Sequence, residues 1–308
     1  MLGTEPTGTS GTRFMYGVPM PQISIIDTIS DPGKEGRANE DRLGYNRDCA
    51  FVIDGATGLG DRQFMEGHGS DAAWIAEFTA IRFAERLDRG AEPKAVLRQV
   101  SAEARDAFVA VAGDQPRYAW PLCSLTVLQA TDNGFCWFGL GDSAMYILHD
   151  DGRSDFIIPI PGAYEWEQHQ AAQHIARVGV IGAAGVANDD PQTLVDLRRG
   201  RARQNTPDGT TWTFGVVPEA ADHLAMVEVP VHGGGATALL CSDGLADLVA
   251  LYKLYDPTTL IQRAATAGLK SLVSELRHME RTVDPDGLKY PRYKQSDDTT
   301  AILLRLET

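Results

Sequence analysis

Residues 49 to 60 read CAFVIDGATGLG, and this stretch decides how the rest of the chain is read. The apolar run Ala50-Phe51-Val52-Ile53 is rich in β-branched and aromatic residues and has the length of a buried strand. It stops at Asp54-Gly55, and Gly58 and Gly60 follow. A carboxylate at the end of a buried strand, beside a glycine that lets other groups approach the backbone, suits a hard cation. A simple Asp-Gly turn accounts for the dipeptide equally well. What favours the first reading is recurrence.

Upstream, Arg37-Ala38-Asn39-Glu40-Asp41 precedes a short strand at Leu43–Tyr45. A hairpin through Asn46-Arg47-Asp48 would bring Glu40 and Asp41 toward Asp54. Downstream, Ser70 or Asp71 caps an amphipathic helix carrying Trp74, Phe78, Ile81 and Leu87, predicted to end at Gly90. A second helix runs from Pro93 to Gly113. The two predict an antiparallel pair lying on a sheet. Strands follow at Cys123–Leu128 and Phe135–Leu140 around the turn Asn133-Gly134. The second ends in Gly141-Asp142-Ser143 before another strand at Ala144–Leu148, a spacing that a tight hairpin explains.

Helices are expected at Trp166–Val178 and Pro191–Arg203, the latter with a basic cluster of Arg198, Arg199, Arg201 and Arg203. A solvated helix face explains that cluster, and docking of an anionic substrate or regulator is the sharper alternative. Strands are expected at Thr211–Val217 and Leu224–Val231. The run Ala236–Ser242 then ends in Asp243-Gly244, built like the first Asp-Gly strand. Asp256-Pro257 caps a helix, and another spans Leu269–Met279. Near the C-terminus the order reverses: Asp297-Asp298 precede the apolar strand Thr299–Leu306.

Composition narrows the function. The 308 residues are 43% hydrophobic, enough for a sizeable core, and the formal charge of −14 argues against nucleic acid as the partner. No apolar run is long enough to span a membrane. The four cysteines, Cys49, Cys123, Cys136 and Cys241, sit in or beside strand-like runs without zinc-site spacing, which predicts reduced core thiols and a cytoplasmic protein. Residues 1–20 read as a flexible leader without a signal-peptide core, and 21–308 as one domain with an insertion at about 150–208.

Taken in order, R-x-N-E-D at 37–41, D-G at 54–55, G-D-S at 141–143, S-D-G at 242–244 and D-D-T-T at 297–300 resemble the motifs of the metal-dependent serine/threonine protein phosphatases of type 2C, in their bacterial form. The resemblance runs from about residue 23 to the C-terminus. It implies an α+β fold, a four-layer α-β-β-α sandwich of two antiparallel sheets packed face to face with helix pairs outside. It also implies two manganese or magnesium ions. Asp54 would bridge them, Asp243 and Asp297 complete one site, and Glu40 and the Gly55 carbonyl the other. Asp41 would orient water, Asp142 matches a weaker third-metal position, and Asp298 is a substitute for Asp297. Arg37 would clamp the phosphoryl group. The implied reaction is hydrolysis of phosphoserine or phosphothreonine by a metal-bridging hydroxide, in a monomer acting on a phosphoprotein.

The chain departs from the family at Ala56, where animal members have a histidine, at Ala144, where an arginine is usual, and at Asp298, where asparagine is usual. Two rival readings use the same fold: a pseudophosphatase that binds without catalysis, and a hydrolase of a small phosphorylated metabolite.

Overall fold

A computed structural model describes residues 20–181, 190–209 and 211–308. The expected leader falls, but for Met20, outside the described residues, as do 182–189 of the expected insertion. The chain lays down β1 (Gln22–Asp31), β2 (Arg42–Tyr45) and β3 (Cys49–Gly55), then α1 (Asp71–Arg86) and α2 (Pro93–Ala112). There follow β4 (Leu122–Thr131), β5 (Gly134–Leu140), β6 (Ala144–His149), β7 (Ser154–Ile157), α3 (Ala163–Val178) and α4 (Pro191–Arg203). Last come β8 (Phe214–Gly215), β9 (Ala225–Val229), β10 (Gly235–Cys241), α5 (Asp243–Ala250), α6 (Pro257–Ala267), α7 (Leu269–His278) and β11 (Thr299–Glu307).

The strands form two antiparallel sheets, one in the order β1-β11-β10-β6-β7 and one in the order β2-β3-β4-β5-β9, with β8 against the start of β4. Alternation along β3 explains why the whole strand is apolar. Ala50 and Val52 face the other sheet and share a core with its Met145, Leu240 and Ile302 and with Trp137 of their own sheet. Phe51 and Ile53 face outward under α1 and α2, among Trp74, Phe83, Leu97 and Phe108. Both faces are covered, so no polar position is left. The β1-β11-β10-β6-β7 sheet is covered in turn by α5, α6 and α7 through Leu245, Leu248, Leu260, Leu272 and Leu276. Three cores between four layers give the α-β-β-α sandwich.

The local signals behave as their chemistry dictates. The Ser70 side chain caps α1 by accepting from Ala73 N–H, Pro93 opens α2, and Asp256 and Thr259 form a capping box on α6. Four expectations are corrected. First, α1 stops at Arg86, short of Gly90, because Leu87 turns extended to bury its side chain and the Asp88 carboxylate takes the Gly90 N–H. Second, Gly141–Ser143 is not a hairpin, because β5 and β6 belong to different sheets and the turn carries the chain between them. Third, the strand expected at 211–217 shrinks to Phe214–Gly215, whose only partner is the start of β4. Fourth, Asp243-Gly244 does not end a strand in a turn but opens α5.

The end of β3 is the tightest point of this frame. A Cβ on Gly55 would lie 2.5 Å from the Glu40 carbonyl oxygen and 2.8 Å from that of Ala72, both backbone atoms that cannot move aside. Gly55→Ala is therefore expected to lower stability by about 2 kcal/mol or more, read by denaturant unfolding. A change within about 0.5 kcal/mol would show that the approach is not tight.

Candidate metal centre

The strand ends gather acids because each acid is tied to its neighbour's backbone. Asp54 lies opposite Ser124 in the β3–β4 register. Ser143 N–H donates to Ser124 Oγ at 2.8 Å, which carries Asp142 to the same end. Gly141 makes this possible: its φ is +83°, and a Cβ there would lie 2.4 Å from the Ser124 Cβ. On the other sheet, Thr300 N–H donates to Ser242 Oγ and Ser242 N–H to the Thr300 carbonyl, both at 3.0 Å, fixing Asp243 beside the start of β11. Oxygens of Asp54, Asp142 and Asp243 all lie within 4.8 Å of one another.

The segment 37–41 is fastened around this cluster. Asp298 accepts Gly33 N–H at 2.9 Å through one oxygen and Glu40 N–H at 2.7 Å through the other. Glu40 returns the tie by accepting Gly55 N–H at 3.2 Å on its carbonyl. Its carboxylate accepts from Ser70 Oγ and Thr57 Oγ1, each at 2.6 Å. Asp41 is 2% exposed, and its Oδ2 has no hydrogen-bond partner among the described residues. Arg37 stands apart on the exposed loop before Glu40. Asp297 gives both oxygens to Lys294 Nζ, at 2.8 and 2.9 Å.

Electrostatics follow from this crowding. Burial, then the charges of Asp243, Asp41 and Asp142, hold the Asp54 carboxyl well above the usual carboxylate range. Burial, with Asp142 and Asp297, pushes Asp243 up to about 7. Asp41 and Asp142 are likewise raised, first by burial. All-oxygen carboxylate donors at this spacing, with the Asp41 oxygen left unsatisfied, fit a hard divalent cation, which would supply the missing positive charge.

The sequence matches no protein-family profile, and no curated protein matches it either. Solved structures do match. PstP/Ppp, a serine/threonine phosphatase of Mycobacterium tuberculosis, is similar over 94% of this chain and 100% of its own, with TM-score 0.51 and 18% identity. The PstP catalytic domain in complex with manganese ions gives TM-score 0.51 and 20% identity over 94% of this chain and 100% of that one. The PPM Ser-Thr phosphatase MsPP of Mycobacterium smegmatis gives 0.50 and 19%, over 91% and 98%. The fold is that of the PPM, or type 2C, phosphatases.

On this PPM fold, the structure brings Asp54, Asp142 and Asp243 together, with Asp41 and Glu40 beside them. Asp297 it places against a lysine. The basic helix α4 does not present one cationic face. Arg198 donates to the Leu59 carbonyl at 2.8 Å and to Asp61 at 2.7 Å. Arg201 leans toward the Thr57 carbonyl at 3.5 Å, its guanidinium pulled down to about 10 by burial and partly restored by Glu40 and Asp142. Arg199, paired with Asp196, is mostly exposed. So α4 grips the 57–61 loop that follows the Asp54-Gly55 pair.

Sequence reasoning missed Glu167, Asp247 and Lys294. Glu167 on α3 is pushed up to about 8 by burial and by Asp243, Asp142 and Asp297. It shares a helix face with the buried residues Tyr164, Ala171 and His174, a spacing visible in the sequence. Tyr164 anchors that face by donating its hydroxyl to the Asp142 carbonyl at 2.8 Å. Asp247, one turn beyond Asp243, is also raised, first by burial and then by Asp243.

A pH dependence follows. Asp243 lies near 7 folded against 3.8 as a free side chain, so its cost is absent below pH 4. That cost builds as the pH rises to about 7 and persists above. Metal-free protein should therefore lose stability across this window, and Asp243→Asn should melt higher than wild type at pH 8 in a chelator. Equal melting temperatures there would contradict the repulsion.

Proposed function

We propose that the chain is a metal-dependent phosphatase hydrolysing phosphoserine and phosphothreonine esters in proteins. The observation that carries this reading is the group of Asp54, Asp142 and Asp243 carboxylates within 4.8 Å, on a fold shared with serine/threonine phosphatases. PstP was solved with two manganese ions, and the residues here have the donor chemistry for the same metal class. In this reading Asp54, with Asp243 and Asp297 on one side and Glu40 and the Gly55 carbonyl on the other, would hold two manganese or magnesium ions, and Asp142 would offer a further ligand. When bound, the ions supply Lewis acidity, which acidifies water and neutralises phosphoryl charge.

The chain's own residues do the rest. Arg37 reaches from its exposed loop to clamp two phosphoryl oxygens with a planar fork. The Asp298 ties to Gly33 and Glu40 hold both ends of the loop that carries Arg37. Asp41, buried and half-unpartnered, holds water in orientation beside the acids. We read residues 21–308 as one domain in which 150–208 is an insertion that shapes the approach of substrate.

Manganese should support hydrolysis of p-nitrophenyl phosphate and of phosphothreonine peptides, and a chelator should abolish both; turnover that survives chelation contradicts the proposal. Asp54→Asn should lower kcat by about 100-fold or more while the protein stays folded by circular dichroism. Arg37→Lys should lower kcat/KM by about 10-fold or more, since an ammonium cannot span two oxygens. Unchanged kinetics would remove Arg37 from the site.

A further inference from the structure

Lys294 is a cation that the chain supplies to its own acidic centre. Its Nζ meets both Asp297 oxygens, at 2.8 and 2.9 Å, and donates to Thr57 Oγ1 at 3.2 Å. Thr57 Oγ1 in turn donates to Glu40 Oε2 at 2.6 Å. One ammonium therefore bridges, directly and through one hydroxyl, two acids that belong to opposite sides of the proposed centre.

The placement of Lys294 is built. Asp284 caps the preceding turn by accepting the N–H groups of Leu288, Lys289 and Tyr290 at 3.0, 3.1 and 2.9 Å. Arg292 locks the same turn, donating to the Asp284 carboxylate at 3.1 Å and to the Glu280 and Gln295 carbonyls, each at 3.1 Å. The backbone on either side of Lys294 is thus fixed, and only the side chain is free to move. That side chain is 41% exposed, and Asp297 40%, so the ammonium can leave for water without disturbing any core.

We infer, resting on the metal centre proposed above, that Lys294 is a built-in competitor for the metal. It pairs with both Asp297 oxygens, and a divalent ion taking Asp297 as a ligand must displace it. The asymmetry of the acids agrees with this. Among the described residues, no lysine or arginine is bonded to Asp54, Asp142 or Asp243, whereas Asp297 carries Lys294. Filling of the centre is therefore staged: the three clustered acids take an ion directly, and the Asp297 side takes one only at the expense of an ion pair. An exchangeable ion pair of this exposure costs a competing ligand little, so the effect is a graded weakening of metal affinity and not a block.

The test is manganese binding to the full chain without substrate, read as loss of the free-ion electron paramagnetic resonance signal. Lys294→Met keeps the aliphatic stem and removes the charge, and should tighten the weaker manganese site by about three- to tenfold. Lys294→Arg, which keeps the charge, should stay within about twofold of wild type. A double-mutant cycle separates displacement from general charge: in an Asp297→Asn background, Lys294→Met should change affinity by less than about twofold. Unchanged or weaker binding by Lys294→Met overturns the inference, and so does equal tightening in the Asp297→Asn background. Absence of manganese binding in every variant and in wild type overturns the metal centre and this inference together. Tighter binding by Lys294→Met in a protein that hydrolyses no phosphoester sustains the inference and overturns the phosphatase reading alone.

Discussion

The desolvation and mutual repulsion of clustered, half-buried carboxylates is the constraint around which this molecule is built. Two unit charges at 4 Å repel by about 4 kcal/mol at an effective dielectric near 20, and Asp54 feels several such neighbours. A fold driven only by its own stability would separate them. Here the opposite is arranged: the side chains of Ser124, Ser242 and Asp298 accept the backbone N–H groups of Ser143, Thr300 and Glu40 and hold the acids in place. The three apolar cores of the sandwich provide the stability that this strain draws on. Sites that violate local rules at a cost met elsewhere are where function is concentrated.

The two sheets divide the work. One contributes Asp54 from β3 and Asp142 from the end of β5, and the other contributes Asp243 and Asp297 from the flanks of β10 and β11. Neither sheet alone brings Asp54, Asp142 and Asp243 together, so the cluster exists only when they pack. The contacts between Ala50, Val52, Leu240 and Ile302 therefore position charge as well as exclude water. The loop from 57 to 61, gripped by Arg198 and Arg201 of α4, couples the segment between β7 and β8 to the same centre.

Much of this was legible in the sequence because strand ends and caps are local events. The apolar run at 50–53, the capping serine at 70, Pro93 and Asp256-Pro257 each state their structure within a few residues. The five acidic motifs were readable for the same reason, as each sits where an apolar run starts or stops. The crossing at Gly141–Ser143 was not readable, because a tight turn within one sheet and a step between two sheets have the same local sequence. Glu167 and Asp247 were hidden because, although their helix faces are legible, nothing local shows that α3 and α5 lean over the acids. Lys294 was hidden for a different reason: a lysine three residues from an aspartate in a charged loop is ordinary, and only the folding of 284–292 around Asp284 and Arg292 aims it.

The most direct test of the central claim is an anomalous difference map at the manganese absorption edge, from crystals grown with the metal. A peak within coordinating distance of both the Asp54 and Asp243 carboxylates is the result expected. A map without a peak there, or with manganese only at surface acids, would show that these carboxylates are gathered for some other purpose.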